Sequence, residues 1–171
     1  MKDVTLFETD YIKVKRRDGW YDMTSAQDSN EVVAVLLMDG KGRYLVRHEN
    51  CPPYHIGETE HFSDVALTGM KEVGEIPMYA AIREVEEESG IHPASYVLQD
   101  MGWVFTNKQC DMKVHLFLGV VMNQEEIEKM ILRGVGDGTK GEEGAYCTWM
   151  TKAQIFDSSR CGILYQLLAL I

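Results

Sequence analysis
The sequence predicts a mixed α/β fold, with a mixed sheet between helices and a β-hairpin ahead of it. Three observations carry this reading. Short apolar runs bounded by turn residues recur along the chain, as strands require. One sharply delimited helix falls mid-chain, between Pro77 and Gly90. Another helical stretch comes late, so strands dominate and the helices are left to cover the faces of the sheet.

Each element has its own local signal. Tyr11 to Met23 reads as two short strands around Arg17-Asp18-Gly19, Asp-Gly being a hairpin signal. Residues 1–28 are therefore read as an N-terminal hairpin extension and 29–171 as the main domain. Glu31 to Asp39, with its Val-Val-Ala-Val-Leu-Leu-Met run, is expected to be a strand buried on both faces. Gly40-Lys41-Gly42 turns it, and Tyr44 to His48 returns. A long loop with Pro52-Pro53 runs to about Asp64, of a length that suits function. Val65 to Leu67 is a short strand leading into Gly69. Pro77 to Ser89 has Pro in its first turn and Gly90 just past its end, so it is a helix. Strands are expected at Tyr96 to Phe105 and Lys113 to Val121, then a helix at Glu125 to Leu132. A Gly- and charge-rich loop, Gly134 to Gly144, precedes a strand at Ala145 to Met150 and one C-terminal helix from about Asp157.

Composition narrows the function classes. With 171 residues and 45% apolar content the chain suits one domain around one core. Met-Lys-Asp-Val opens no apolar signal segment, and the longest apolar run, Val32 to Met38, is far short of a membrane span. Cys51, Cys110, Cys147 and Cys161 contain no C-x-x-C pair, so reduced thiols and a cytoplasmic location are expected. Lys and Arg total 17 against 27 Asp and Glu, a formal charge of −10. No membrane partner is expected, and the acidity disfavours nucleic acid but admits a small phosphorylated substrate where bound metal inverts the local field.

The chemistry concentrates in the segment from Gly69 to Ile91. On its helix, Met78, Ala81, Ile82 and Val85 share one face, expected to pack on the sheet. Glu84, Glu87 and Glu88, at i, i+3 and i+4, share another beside Ala80, and Arg83 stands four residues before Glu87. Three carboxylates on one face repel by about 0.2–0.5 kcal/mol per close pair. A solvated acidic face and a site for a hard cation both accommodate that pattern.

The spacing of the whole segment separates the two. At every specified position it resembles the Nudix box, G-x5-E-x7-R-E-U-x-E-E-x-G-U with U apolar, as Gly69, Glu75, Arg83, Glu84, Val85, Glu87, Glu88, Gly90 and Ile91. Average residue usage would produce such a match by chance on the order of once in ten million chains of this size. The resemblance implies a Nudix-type α/β/α sandwich and hydrolysis of a diphosphate linkage with Mg²⁺, or Mn²⁺, as cofactor. Carried over by position, Glu84, Glu87, Glu88 and the backbone carbonyl of Thr68 are the implied metal ligands, with Arg83 orienting the carboxylates. Glu87, Glu88 and Arg83 are thus the implied catalytic residues. Glu143, in the Lys-Gly-Glu142-Glu143-Gly loop, is a further candidate for accepting a proton, beside the alternative of a solvated acidic loop. Glu75 resembles the first box glutamate, with a positional role.

Substrate signals are sparser. The hairpin ahead of the core strand is similar in arrangement to ADP-ribose and nucleotide-sugar pyrophosphatases, which implies such a nucleotide substrate and a homodimer formed through the extension. Trp20 in that hairpin and Phe105 beyond the box are the candidate substrate contacts. The alternatives are hydrolysis of modified nucleoside triphosphates or dinucleoside polyphosphates, and a Nudix domain that binds nucleotide without cutting it. Cys51, His55 and His61 fit no tight zinc spacing. The basic cluster Lys13, Lys15, Arg16 and Arg17 reads as an exposed hairpin face.

Overall fold
The computed structural model describes residues 4–10, 12–25, 30–51, 62–128 and 144–171. The strands are β1 (Val4–Glu8), β2 (Ile12–Arg17), β3 (Trp20–Ser25), β4 (Glu31–Met38), β5 (Arg43–Asn50), β6 (Phe62–Val65), β7 (Leu67–Met70), β8 (Tyr96–Asn107), β9 (Cys110–Val121) and β10 (Tyr146–Thr151). The helices are α1 (Pro77–Ser89), α2 (Gln124–Ile127), α3 (Lys152–Ser158) and α4 (Gly162–Leu168), with a 3₁₀ turn at Pro93–Ser95. The sheet runs β1-β2-β3-β9-β4-β5-β10, while β6 pairs with β5, β7 with β4 and β8 with β9. It is mixed, because β4 lies parallel to β9 and antiparallel to β7.

Strand β4 is the spine of the sandwich. Val33, Val35 and Leu37 point to one side and pack with Ala80, Ala81 and Val85 of α1, Ile91 and Phe117. Ala34 and Leu36 point to the other side, among Ile155 of α3 and Leu164, Leu167 and Leu168 of α4. Period-2 alternation thus serves two cores at once, and a strand with both faces covered needs the uninterrupted apolar run seen in the sequence. Each fully buried aliphatic side chain here contributes about 1.5–3 kcal/mol.

Several expectations are refined. The hairpin forms as read, its Asp18-Gly19 turn holding φ values of 48° and 86°. Strand β1 adds to its outer edge, although every residue of it is exposed and the sequence there shows no buried face. The stretch around Val65 is two strands broken at Ala66, β6 running against β5 and β7 against β4. Strands β8 and β9 run on to a tight turn at Lys108-Gln109. The C-terminal helix is two helices. Fully buried Ser159 separates them, its hydroxyl donating to the Asp64 carbonyl at 2.5 Å and accepting from the Cys161 amide at 3.1 Å. Helix α2 is described for Gln124–Ile127, Glu128 follows as a turn, and residues 129–132 of the expected helix lie outside the described residues, as do His55 and His61.

At the start of β4, Glu31 ties three strand ends together. Lys71, just after β7, and Lys113 of β9 each place an ammonium 3.0 Å from its carboxylate. Hydrogen bonds from Lys71 and then Lys113 hold the Glu31 carboxyl at about 2, against an ordinary 4.5. A depressed carboxyl stabilises the fold above its unfolded value and loses that contribution as pH falls through its folded one. Glu31→Gln should therefore lower stability at pH 7, on the order of 1–2 kcal/mol once solvent screening is allowed for. Urea unfolding of both proteins at neutral pH and near pH 3 checks this: the gap should narrow in acid, with most of its loss between about 4.5 and 2.

Candidate active site
Helix α1 presents the glutamates, and its own ends fix it. Pro77 opens it, and Gly90 closes it in a left-handed cap with φ 72°, its amide donating to the Glu86 carbonyl. Ala80, Ala81, Glu84, Val85, Glu88 and Ser89 are the buried positions. The buried stripe is therefore rotated from the one expected: Ile82 is only half-buried, while Ala80 is fully enclosed. That rotation draws Glu84 and Glu88 under cover, at 8% and 7% exposure, and leaves the Glu87 side chain 40% exposed.

Gly69 makes room for this. The Glu84 carboxylate lies directly over its α-carbon, and a Cβ there would meet the carboxyl atoms at 1.9 Å. No other residue fits at position 69 while Glu84 keeps its place.

Arg83 gathers the surrounding oxygens. Its Nη1 donates to Glu84 Oε1 at 2.6 Å and to Glu87 Oε2 at 3.0 Å. Its Nη2 donates to the Met70 carbonyl at 2.9 Å, and Nε and Nη2 both reach Glu75 at 3.3 Å. The Glu72 amide also donates to Glu75, at 2.9 Å, so the loop between β7 and α1 is tied to the helix. The Arg83–Glu87 pair expected from the i,i+4 spacing is present. Glu88 turns the other way, where the Thr68 amide donates to its Oε2 at 3.1 Å and Arg47 Nε lies 3.6 Å from Oε1.

The electrostatics follow from burial. Desolvation raises the Glu84 carboxyl above its ordinary range, with Glu87 and Glu75 adding to the effect and Arg83 opposing it. Burial pushes Glu88 up much further, against the pull of Arg47. Burial also works against Glu75, yet hydrogen bonds from Arg83 and the Glu72 amide hold it below the usual range. Burial disfavours the Arg83 cation, but the hydrogen bond to Glu75 and the field of Glu84 keep it firmly protonated. Three carboxylates therefore share the Arg83 guanidinium, and Glu88 has Arg47 at its margin.

Among the described residues, no three Asp, Glu, His or Cys side chains converge closely enough to enclose an ion as they stand. Arg83 occupies the place between Glu84 and Glu87. The donor set nonetheless suits a hard divalent cation: all oxygen, on adjacent turns of one rigid helix, with negative charge that burial leaves poorly compensated.

The other expected site residues fall elsewhere. Thr68 lies in β7, facing Glu88. Glu143 lies outside the described residues. Trp20, 66% exposed, stands at the hairpin tip with the Lys108 ammonium 5.9 Å from its ring centroid. Phe105 is 53% exposed on β8 and is edge-on to Trp103 at 5.3 Å. The structure thus brings Trp20 and Phe105 to the same end of β8 and β9, away from the box glutamates. Arg47 was not singled out from the sequence. Its signal is a lone arginine within the apolar alternation of β5, where it is 3% exposed and pairs with Glu49 at 2.7 Å.

The NUDIX domain family model matches residues 28–165. The crystal structure of a NUDIX-family hydrolase from Clostridium perfringens superposes with a TM-score of 0.56 at 15% identity, covering 84% of this chain and 96% of that one. At that identity the likeness is one of fold. No curated protein matches the chain in sequence. The family match spans most of the chain and contains the whole box from Gly69 to Ile91, so the chain belongs to the Nudix family.

Proposed function
We propose that this Nudix hydrolase cleaves the diphosphate linkage of a nucleoside diphosphate derivative, ADP-ribose or a related nucleotide sugar. The observation that carries the reaction class is the under-compensated carboxylate cluster on α1. Glu84, Glu87 and Glu88, with the Thr68 carbonyl, would hold Mg²⁺ or Mn²⁺. When bound, such an ion neutralises diphosphate charge and makes water a better nucleophile. Arg83 keeps the carboxylates oriented through its charge-assisted bonds and anchors the loop carbonyl of Met70. The proton from the attacking water goes to a carboxylate, either in the box or at Glu143. Among the described residues, no helix is long and apolar enough to cross a membrane.

Support for the substrate comes from the extension. Strand β3 joins β9 in parallel at Met23 and Cys110, so the hairpin lies against the same strand that runs along β4. Trp20 and Phe105 are the proposed base contacts, and base stacking on an aromatic contributes about 1–3 kcal/mol. The extension also exposes Val4, Leu6 and Phe7 on β1, apolar surface that a second copy would cover in a homodimer. A cytoplasmic location is part of the same proposal.

Glu87→Gln and Glu88→Gln keep side-chain shape and remove the charge that would hold metal. Each should lower kcat/KM for ADP-ribose by about 10²–10⁴-fold, with thermal unfolding showing a folded protein. Full turnover in either variant, or in excess chelator, would refute the assignment. The dimer is checked by light scattering on the full chain and on a chain starting at Asp28. The first should be dimeric and the second monomeric, and Trp20→Ala should weaken use of ADP-ribose far more than of a small pyrophosphate. A monomeric full chain with unchanged specificity on truncation would favour triphosphates as substrates instead.

A further inference from the structure
Strand β5 carries an ion pair that is no part of the box and yet borders it. Leu45 packs in the core beneath α1, and the alternation of the strand puts Arg47 and Glu49 on the same face. Across the sheet Arg47 stands beside Cys147 of β10. The Cys147 thiol donates to the Glu88 carbonyl at 3.4 Å, so β5 and β10 together meet the last turn of α1.

The Arg47 guanidinium is almost wholly covered, and two carboxylates face it. Its Nε donates to Glu49 Oε2 at 2.7 Å, a short charge-assisted bond. The same nitrogen lies 3.6 Å from Glu88 Oε1, near enough to attract and too far for a hydrogen bond. The other Glu88 oxygen accepts from the Thr68 amide at 3.1 Å. The two glutamates differ in their surroundings, the Glu88 side chain being 8% exposed and that of Glu49 27%. Attraction is less screened around the drier carboxylate, so Arg47 would close on Glu88 if Glu49 did not hold its Nε.

That restraint matters to a cation arriving at Glu88. A carboxylate closed on a covered guanidinium must break that pair before it can take a metal ion. A guanidinium without its own counter-charge would also repel the ion. With Glu49 bound to Arg47, both obstacles are reduced. We propose that Glu49 is a positioning residue of the metal centre: by holding Arg47 it keeps Glu88 out of a closed ion pair and available to a divalent cation. The inference rests on the metal-binding reading above and adds to it two residues of β5 that lie outside the box.

Mn²⁺ binding to the full chain without nucleotide, followed by loss of the free ion's paramagnetic resonance signal, tests this without turnover. Glu49→Gln keeps the shape and should bind Mn²⁺ about tenfold more weakly, a coupling of the size usual within one charged network. In an Arg47→Met background the same change should alter affinity by less than about twofold, because the cation that Glu49 restrains is gone. Equal affinity in the wild type and a folded Glu49→Gln protein overturns the proposal. A loss that persists undiminished beside Arg47→Met also overturns it, since Glu49 would then act on the ion itself. Where Arg47→Met does not fold, the ¹⁵N resonance of Arg47 Nε decides. Adding Mg²⁺ should move it further in Glu49→Gln than in the wild type, and equal shifts overturn the proposal. A wild-type protein that binds no Mn²⁺ refutes the metal reading and this proposal with it. Binding that Glu49→Gln leaves unchanged refutes the role of Glu49 alone, and the metal reading stands.

Discussion
The guanidinium of Arg83 donates at once to the Met70 carbonyl, to Glu75, to Glu84 and to Glu87. Through the first two it fastens the loop after β7 to the helix, and through the last two it holds the carboxylates in register. One positive charge cannot balance these glutamates together with buried Glu88, whose own cation, Arg47, is shared with Glu49. Burial is the main cause of the raised carboxyls of Glu84 and Glu88, and neighbouring glutamates add to it. Burying like charges without compensation is costly, and the cation proposed above would relieve that cost.

The rest of the molecule makes this cluster rigid. Strand β4 packs α1 on one face and α3 with α4 on the other, so the helix cannot rotate without disturbing the core it shares with β4. Gly69 lets Glu84 lie against β7, and the Thr68 amide and Arg47 seat Glu88 against β7 and β5. The site is therefore built on strands and a helix rather than on loops, which favours precise placement of charge. From it the sheet face continues past Glu31 and its two lysines to the aromatic pair on β8, so one surface offers groups for a polar end and a flat end of a substrate.

The parts of this arrangement legible in the sequence are those governed by local rules. Helix α1 begins at Pro77 and ends at Ser89 as its punctuation indicates, and the pairing of Arg83 with Glu87 follows from helical geometry. The two-sided burial of β4 is visible as an unbroken apolar run. What escaped depends on residues distant in sequence. The burial of Glu84 and Glu88 requires the approach of Gly69 and of β5, which shifts the packed stripe from Ile82 to Ala80. Strand β1 has no inward face to betray it, only a neighbour in β2. The break at Ser159 comes from a hydrogen bond to Asp64, a partner in β6 that no local pattern names. Arg47 went unnoticed because Glu88, in particular, becomes its neighbour only in the folded protein.

In the reading proposed above, Arg83 stands in for part of the charge that a divalent cation would supply. The most direct measurement is the ¹⁵N resonance of the Arg83 guanidinium during Mg²⁺ titration, assigned by its loss in Arg83→Lys. A saturable shift is expected as Glu84 and Glu87 leave the guanidinium for the ion, following the same isotherm as metal binding measured by calorimetry. A guanidinium resonance unmoved while Mg²⁺ saturates the protein would contradict it.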